Sequence, residues 1–193
     1  MRSYSSDVLT VADQLTDAYV EVFTAPPWHH RDPAETRAAF RARLETDAHR
    51  PGFRAILAVG DGGEVAGFVT GWTTEAPFRT DRAYGKVRDL LGADRVDRLL
   101  VGAFEIDELG VRPQARGTGL GRRLLSTLTD AAPDGRAWLL TWDQAHDTLA
   151  FYRRLGWREP APVPGHGTDL VVFLSPAAGR SADYQESDLP SGT

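Results

Sequence analysis

The chain has no cysteine in 193 residues, which excludes a disulfide framework, a thiolate zinc site and an acyl group carried on a protein thiol. Lysine is almost as scarce: Lys86 stands alone among 22 Lys and Arg residues. Nearly every cation is therefore arginine, the better side chain for bidentate phosphate contacts. Long apolar runs are missing too. The stretch around Leu99-Leu100-Val101 is far too short to span a bilayer, and Met1 to Asp7 has no apolar core of a secretory signal. A cytoplasmic protein with no membrane partner is expected. The net charge of −5 and the dispersed basic residues give no footprint for nucleic acid. The histidines, His29-His30 and the isolated His49, His146 and His166, include no i,i+4 pair, so no metal is expected.

What is present suits one domain with a sizeable core over residues 1–175, followed by a Ser/Asp/Gly/Pro-rich tail, 176–193, expected to be disordered. Apolar residues at helical spacing predict a helix from Thr10 to Phe23, stopped by Thr24-Ala25-Pro26-Pro27-Trp28. Pro33 opens a second helix through Asp47. Phe53 to Val59 and Glu64 to Trp72 read as an antiparallel hairpin around Gly60-Asp61-Gly62-Gly63. Residues 73–102 are polar and Arg-rich, with one or two short amphipathic helices, and read as an insertion over one end of the sheet. Ala103 to Val111 and Ala137 to Trp142 are strands, Thr148 to Leu155 a short helix, and Asp169 to Leu174 a last strand. Trp72, Trp138, Trp142 and Trp157 are expected in the core.

The most informative segment is the strand, glycine-rich turn and helix from Leu109 to Leu125. Gly117, Gly119 and Gly121 let backbone approach a ligand, and N–H groups at a helix start form an anion site suited to phosphate. Arg116, Arg122 and Arg123 add charge-assisted donors. The segment is not a Walker loop, because Arg122 follows Gly121 where Lys is needed. It is not a dinucleotide fingerprint either, because residues 122 and 124 are Arg and Leu.

Arg116-Gly117-Thr118-Gly119-Leu120-Gly121 resembles the acyl-CoA signature Gln/Arg-x-x-Gly-x-Gly/Ala of the Gcn5-related N-acetyltransferase (GNAT) superfamily. Ala150-Phe151-Tyr152-Arg153-Arg154-Leu155-Gly156-Trp157 resembles that family's last helix and following strand. The resemblance implies an α/β (α+β) GNAT fold, with a mixed, mostly antiparallel sheet splayed near the fourth strand and flanked by helices. It implies acetyl-CoA as acyl donor, with Leu109, Gly110 and Val111 along the pantetheine and Arg116, Gly117, Thr118, Gly119, Leu120, Gly121 and Arg122 around the pyrophosphate. Ala145 stands where many relatives carry Asn. Tyr152 matches the family's tyrosine acid, and Trp28, in a connection that walls the acceptor site in relatives, is a candidate substrate contact. A homodimer is one expected assembly.

Amide formation needs a neutral amine, donors for an oxyanion and a proton for the leaving thiolate. Glu105, Asp107 and Glu108 lie on the strand that ends at Val111. Uniform alternation puts Glu105 and Asp107 on the face of Leu109 and Val111, with Glu108 opposite as a substrate contact. Glu105 or Asp107 is the expected general base, acting through water, and the backbone N–H near Val111 is a candidate oxyanion donor. The expected reaction is direct transfer to a primary amine in a ternary complex. An acidic cleft, with Glu75 or Asp81 contributing, would suit a cationic small molecule of polyamine or aminoglycoside type, a protein N-terminus or a lysine. Transfer of a longer acyl group, transfer to oxygen and an acyl-CoA sensor without turnover are the alternatives.

Overall fold

A computed structural model describes residues 1–26 and 31–177. The strands are β1 (Arg2–Tyr4), β2 (Arg54–Val59), β3 (Val65–Thr73), β4 (Phe104–Val111), β5 (Ala137–Trp142) and β6 (Leu170–Leu174). The helices are α1 (Ala12–Phe23), α2 (Pro33–Asp47), α3 (Tyr84–Leu91), α4 (Ala93–Leu99), α5 (Leu120–Thr129) and α6 (His146–Arg154). One sheet runs β1-β2-β3-β4-β5-β6, antiparallel throughout except for the parallel β4–β5 pair. The mixed, mostly antiparallel sheet flanked by helices agrees with the sequence reading. The short edge strand β1 was not foreseen: three residues carry too little alternation to register as a strand.

Local chemistry accounts for most boundaries. At the start of α2, the Glu35 N–H donates to Asp32 Oδ1 at 2.8 Å, and Pro33 supplies the preset φ of a first helical residue. At α5, Gly119 takes a left-handed conformation with φ 77° and caps the helix without a side chain. Among the described residues no helix is long and apolar enough to cross a membrane.

Three apolar clusters hold the layers. Leu15, Tyr19 and Phe40 of α1 and α2 pack on Leu57, Phe68 and Trp72. On the opposite face Leu124, Leu128 and Tyr152 of α5 and α6 pack on Val69, Leu139 and Phe173. The two helices within residues 73–102 bury Val87, Leu91 and Val96 against Trp138, Val172 and Leu174. Glu105 pairs with Trp72 on one side and Trp138 on the other, so all three side chains share a face. The α1–α2 pair and the α3–α4 pair therefore lie side by side on that face, with the middle of β4 exposed to the seam between them.

The sheet opens at one place. Pairing of β4 with β5 covers Phe104↔Ala137, Glu105↔Trp138 and Ile106↔Leu139 and then stops. The splay expected near the fourth strand is thus located after Ile106. Because β5 continues to Trp142 beside β6 alone, Trp142 lacks a neighbour on its β4 side and is 44% exposed. This corrects its assignment to the core, where Trp72, Trp138 and Trp157 do lie.

Candidate active site

The three acids of β4 are arranged by a bulge. Thr70 pairs with Glu108 and Gly71 with Ile106, so Asp107 faces no residue of β3. One extra residue reverses every later inward and outward position. Glu105 and Glu108 consequently share the α1–α3 face, while Leu109 and Val111 join the α5–α6 side. The expectation that Glu105 lies beside Leu109 and Val111 is therefore incorrect; Glu108 does lie opposite them, now together with Glu105, and Asp107, the extra residue, lines a cavity with Leu109 and Val111. The sequence does hold a clue in Gly71, a glycine inside a strand. A Cβ there would lie 2.1 Å from the Glu105 carbonyl oxygen and 2.5 Å from the Phe104 ring, so the close backbone approach requires glycine.

Each acid has a different setting. Glu105 is 4% exposed and receives two hydrogen bonds, from the Tyr84 hydroxyl to Oε1 at 2.6 Å and from Trp72 Nε1 to Oε2 at 3.1 Å. Burial dominates these donors and raises its pKa to about 7. Glu108 is ion-paired: Arg43 Nη2 donates to Oε1 at 2.9 Å and the Tyr19 hydroxyl at 3.1 Å. Asp107, the bulge residue, has no hydrogen-bond partner among the described residues. Burial, and next the neighbouring Glu108 charge, push its pKa up.

Two cavities meet at this strand. The first, about 300 Å³, lies in the seam between the helix pairs, reaching Tyr19, Arg43, Tyr84 and Glu105 and opening past Trp142. The second, about 450 Å³, follows the splay from Asp107 past Leu109, Val111 and Gly121 to Tyr152. Asp107, Glu108, Leu140 and Thr141 line both. Glu75 and Asp81 line neither among the described residues, and Asp81 is held by Arg79.

The second cavity can be tested against the shape of an acyl-CoA. Past Ile106 the edge of β4 has no strand beside it, which leaves backbone at Leu109 to Val111 for an extended amide-bearing chain. Gly117 and Gly119 have φ 76° and 77°, and a Cβ on either would meet nothing within 4 Å. Their bare backbone is exposed beside the N-terminus of α5, where no side chain caps the first turn. These features fit a pyrophosphate and the arm attached to it.

The predicted cofactor residues divide into distinct roles. Arg116 and Gly121 line the cavity, and Arg116 Nε also donates to the Val111 carbonyl at 3.2 Å, tying the turn to the end of β4. The Thr118 hydroxyl donates to the Ala115 carbonyl at 2.8 Å, and Leu120 is buried in the core. Arg122 is exposed in the first turn of α5. Gly110 lies across the Phe68 ring, which a Cβ would meet at 2.5 Å, so this glycine is required by packing. Tyr152 is buried at the cavity wall, and burial raises its pKa. Trp28 lies outside the described residues, as do His29, His30 and most of the tail.

Comparison with known proteins follows this geometry. The sequence model of the acetyltransferase (GNAT) family matches residues 12–157. The chain belongs to the GNAT family. Over 153 residues it is 34% identical to a mycothiol acetyltransferase of Pseudarthrobacter chlorophenolicus, covering 76% of this chain and 40% of that protein. Over 77 residues it is 34% identical to the N-alpha-acetyltransferase RimI of Mycobacterium tuberculosis, covering 40% of this chain and 49% of RimI. The aligned region therefore spans half or less of either relative. Among solved structures, an aminoglycoside 6′-acetyltransferase type Ii superposes with a TM-score of 0.56 at 19% identity, covering 91% and 96% of the two chains. The PaiA N-acetyltransferase of Thermoplasma acidophilum, in complex with coenzyme A, does so at 0.55 and 10%, covering 91% and 99%. At these identities the structural likeness establishes the fold.

Tyr84, Trp72, Tyr19 and Arg43, which set the states of Glu105 and Glu108, were not singled out from sequence as site residues. Each comes from another element, and no local spacing announces it.

Proposed function

We propose that this chain transfers an acetyl group from acetyl-CoA to a primary amine by direct attack within a ternary complex. The observation that carries this reading is the meeting, at Asp107, of a groove lined by Leu109, Val111, Arg116 and Gly121 with a cavity that holds a buried carboxylate. The donor supplies an activated acyl group as a thioester when bound. N–H groups from Gly117 to Arg122, with the Arg116 and Arg122 side chains, hold the pyrophosphate, and Leu109 to Val111 align the arm through backbone. Asp107 receives the ammonium of the acceptor. Glu105, with a pKa of about 7, takes the proton through a water, being ionised often enough at neutral pH and basic enough to act. Tyr152 keeps its hydroxyl proton at neutral pH and holds it for the departing sulfur. Glu108, already paired with Arg43, fixes the wall between the cavities instead of binding the acceptor directly. Relatives named as N-alpha- and aminoglycoside acetyltransferases support an amine as the acceptor.

Thiol release from acetyl-CoA, measured over a panel of primary amines beside calorimetric CoA binding, tests this. Amine-dependent thiol release is expected. Tight CoA binding with no release on any amine would replace the enzyme with an acyl-CoA sensor.

A further inference from the structure

The seam cavity is not the acidic cleft that its three carboxylates suggest in sequence. Arg31, Arg43 and Arg82 line it together with Glu105, Asp107 and Glu108, three cations against three acids. Arg43 is committed to Glu108 at 2.9 Å and to the Tyr19 hydroxyl at 3.0 Å. Arg82 is placed differently. Its backbone is left-handed, with φ 52°, a conformation that costs energy for a residue with a Cβ and persists where the surroundings enforce it, often at functional sites. Its side chain is 35% exposed and reaches Asp47 only at 3.5 Å. The other oxygen of Asp47, itself buried, is taken by Arg50 at 2.6 Å. One carboxylate thus serves two guanidinium groups, and Arg82, the more distant of the two, is held less closely than Arg43 is by Glu108. A polycation entering here would meet arginines around the acid that is meant to receive it, whereas a molecule with charges of both signs would meet a partner for each.

We propose that the acceptor is a primary amine that also bears an acidic group, carboxylate or phosphate, and that Arg82 binds that group while the amine meets Asp107 and Glu105. The planar guanidinium suits either anion through paired hydrogen bonds. This proposal rests on the acetyltransferase reading of the same site.

Matched acceptors separate the two. L-phenylalanine and L-phenylalaninamide differ in the carboxylate, glucosamine 6-phosphate and glucosamine in the phosphate, and spermidine carries only positive charge. The acid-bearing member of at least one pair should show a kcat/KM about tenfold or more above its counterpart without the acid, consistent with one charge-assisted contact. Which pair responds identifies the acid. Arg82→Asn removes the guanidinium and keeps a residue that tolerates left-handed backbone. That ratio should fall about tenfold in this variant, mainly through KM, with Tm held within a few degrees, and Arg82→Lys should restore part of it. Thiol release favouring spermidine or the amines without an acid, or an unchanged ratio in folded Arg82→Asn, would overturn the proposal and leave the acetyltransferase standing. No release with any of the five amines would overturn both.

Discussion

The two cavities share a strand yet offer different chemistry. On the splay side the contacts proposed for the donor are mostly backbone: the open edge of β4, the turn at Gly117 and Gly119, and the uncapped start of α5. In the seam the contacts proposed for the acceptor are charged side chains, and two of the acids are held by partners from other elements, Glu105 by Tyr84 and Trp72, and Glu108 by Arg43 and Tyr19. A backbone site depends on a conformation that a few adjacent residues can dictate. A side-chain site depends on distant residues arriving together, so it can change its acceptor while the fold and the donor groove stay the same.

Substitutions should separate the two sides. The largest effect is expected from Glu105→Gln, which should lower kcat/KM by about 10²- to 10⁴-fold, the range of a general base, while the calorimetric Kd for CoA stays unchanged. Loss of CoA affinity in that variant would erase the division between the cavities. Tyr152→Phe should lower kcat by about 10²-fold with little change in CoA affinity, because it removes a proton donor and keeps the ring. An unchanged kcat at every pH would remove Tyr152 from proton transfer. Gly121→Ala probes the donor side alone. Its Cβ would sit in ordinary contact 3.6 Å from Phe151 and Val111, and alanine favours the helix, so Tm should not fall. The methyl narrows the groove and should weaken CoA binding about tenfold, or about 1.4 kcal/mol. Unaltered CoA affinity in this folded variant would move the cofactor elsewhere. The smallest change is a shift in pH dependence from Tyr84→Phe. Its hydroxyl favours ionised Glu105, so its loss raises that pKa further, by about one unit for a charge-assisted hydrogen bond. Activity near pH 6.5 should drop and activity near pH 9 should hold.

The same contrast explains what the sequence disclosed. Residues Arg116 to Gly121 are contiguous, and Gly117 and Gly119 take left-handed backbone angles, so the proposed donor site was visible as a local pattern. The helices from α1 to α6 followed from apolar spacing and from punctuation such as Pro33. The face of Glu105 relative to Leu109 and Val111 was misread because alternation assumes an unbroken ladder, and a single unpaired residue, Asp107, inverts it. Gly71 carried the warning. The partners of the acids stayed hidden because Tyr84 stands 21 residues from Glu105 and Arg43 stands 65 from Glu108. Trp142 was misplaced for a related reason: whether a strand end is covered depends on how far its neighbour runs.

The pH dependence of kcat/KM, compared between the parent and Glu105→Gln, tests the central claim most directly. A rising limb with an apparent pKa near 7 is predicted for the parent, since the raised value leaves Glu105 protonated and inactive below it. That limb should vanish in Glu105→Gln, leaving only the ionisation of the amine acceptor itself. The same limb near 7 in both proteins would contradict the account, because the titrating base would then be another group.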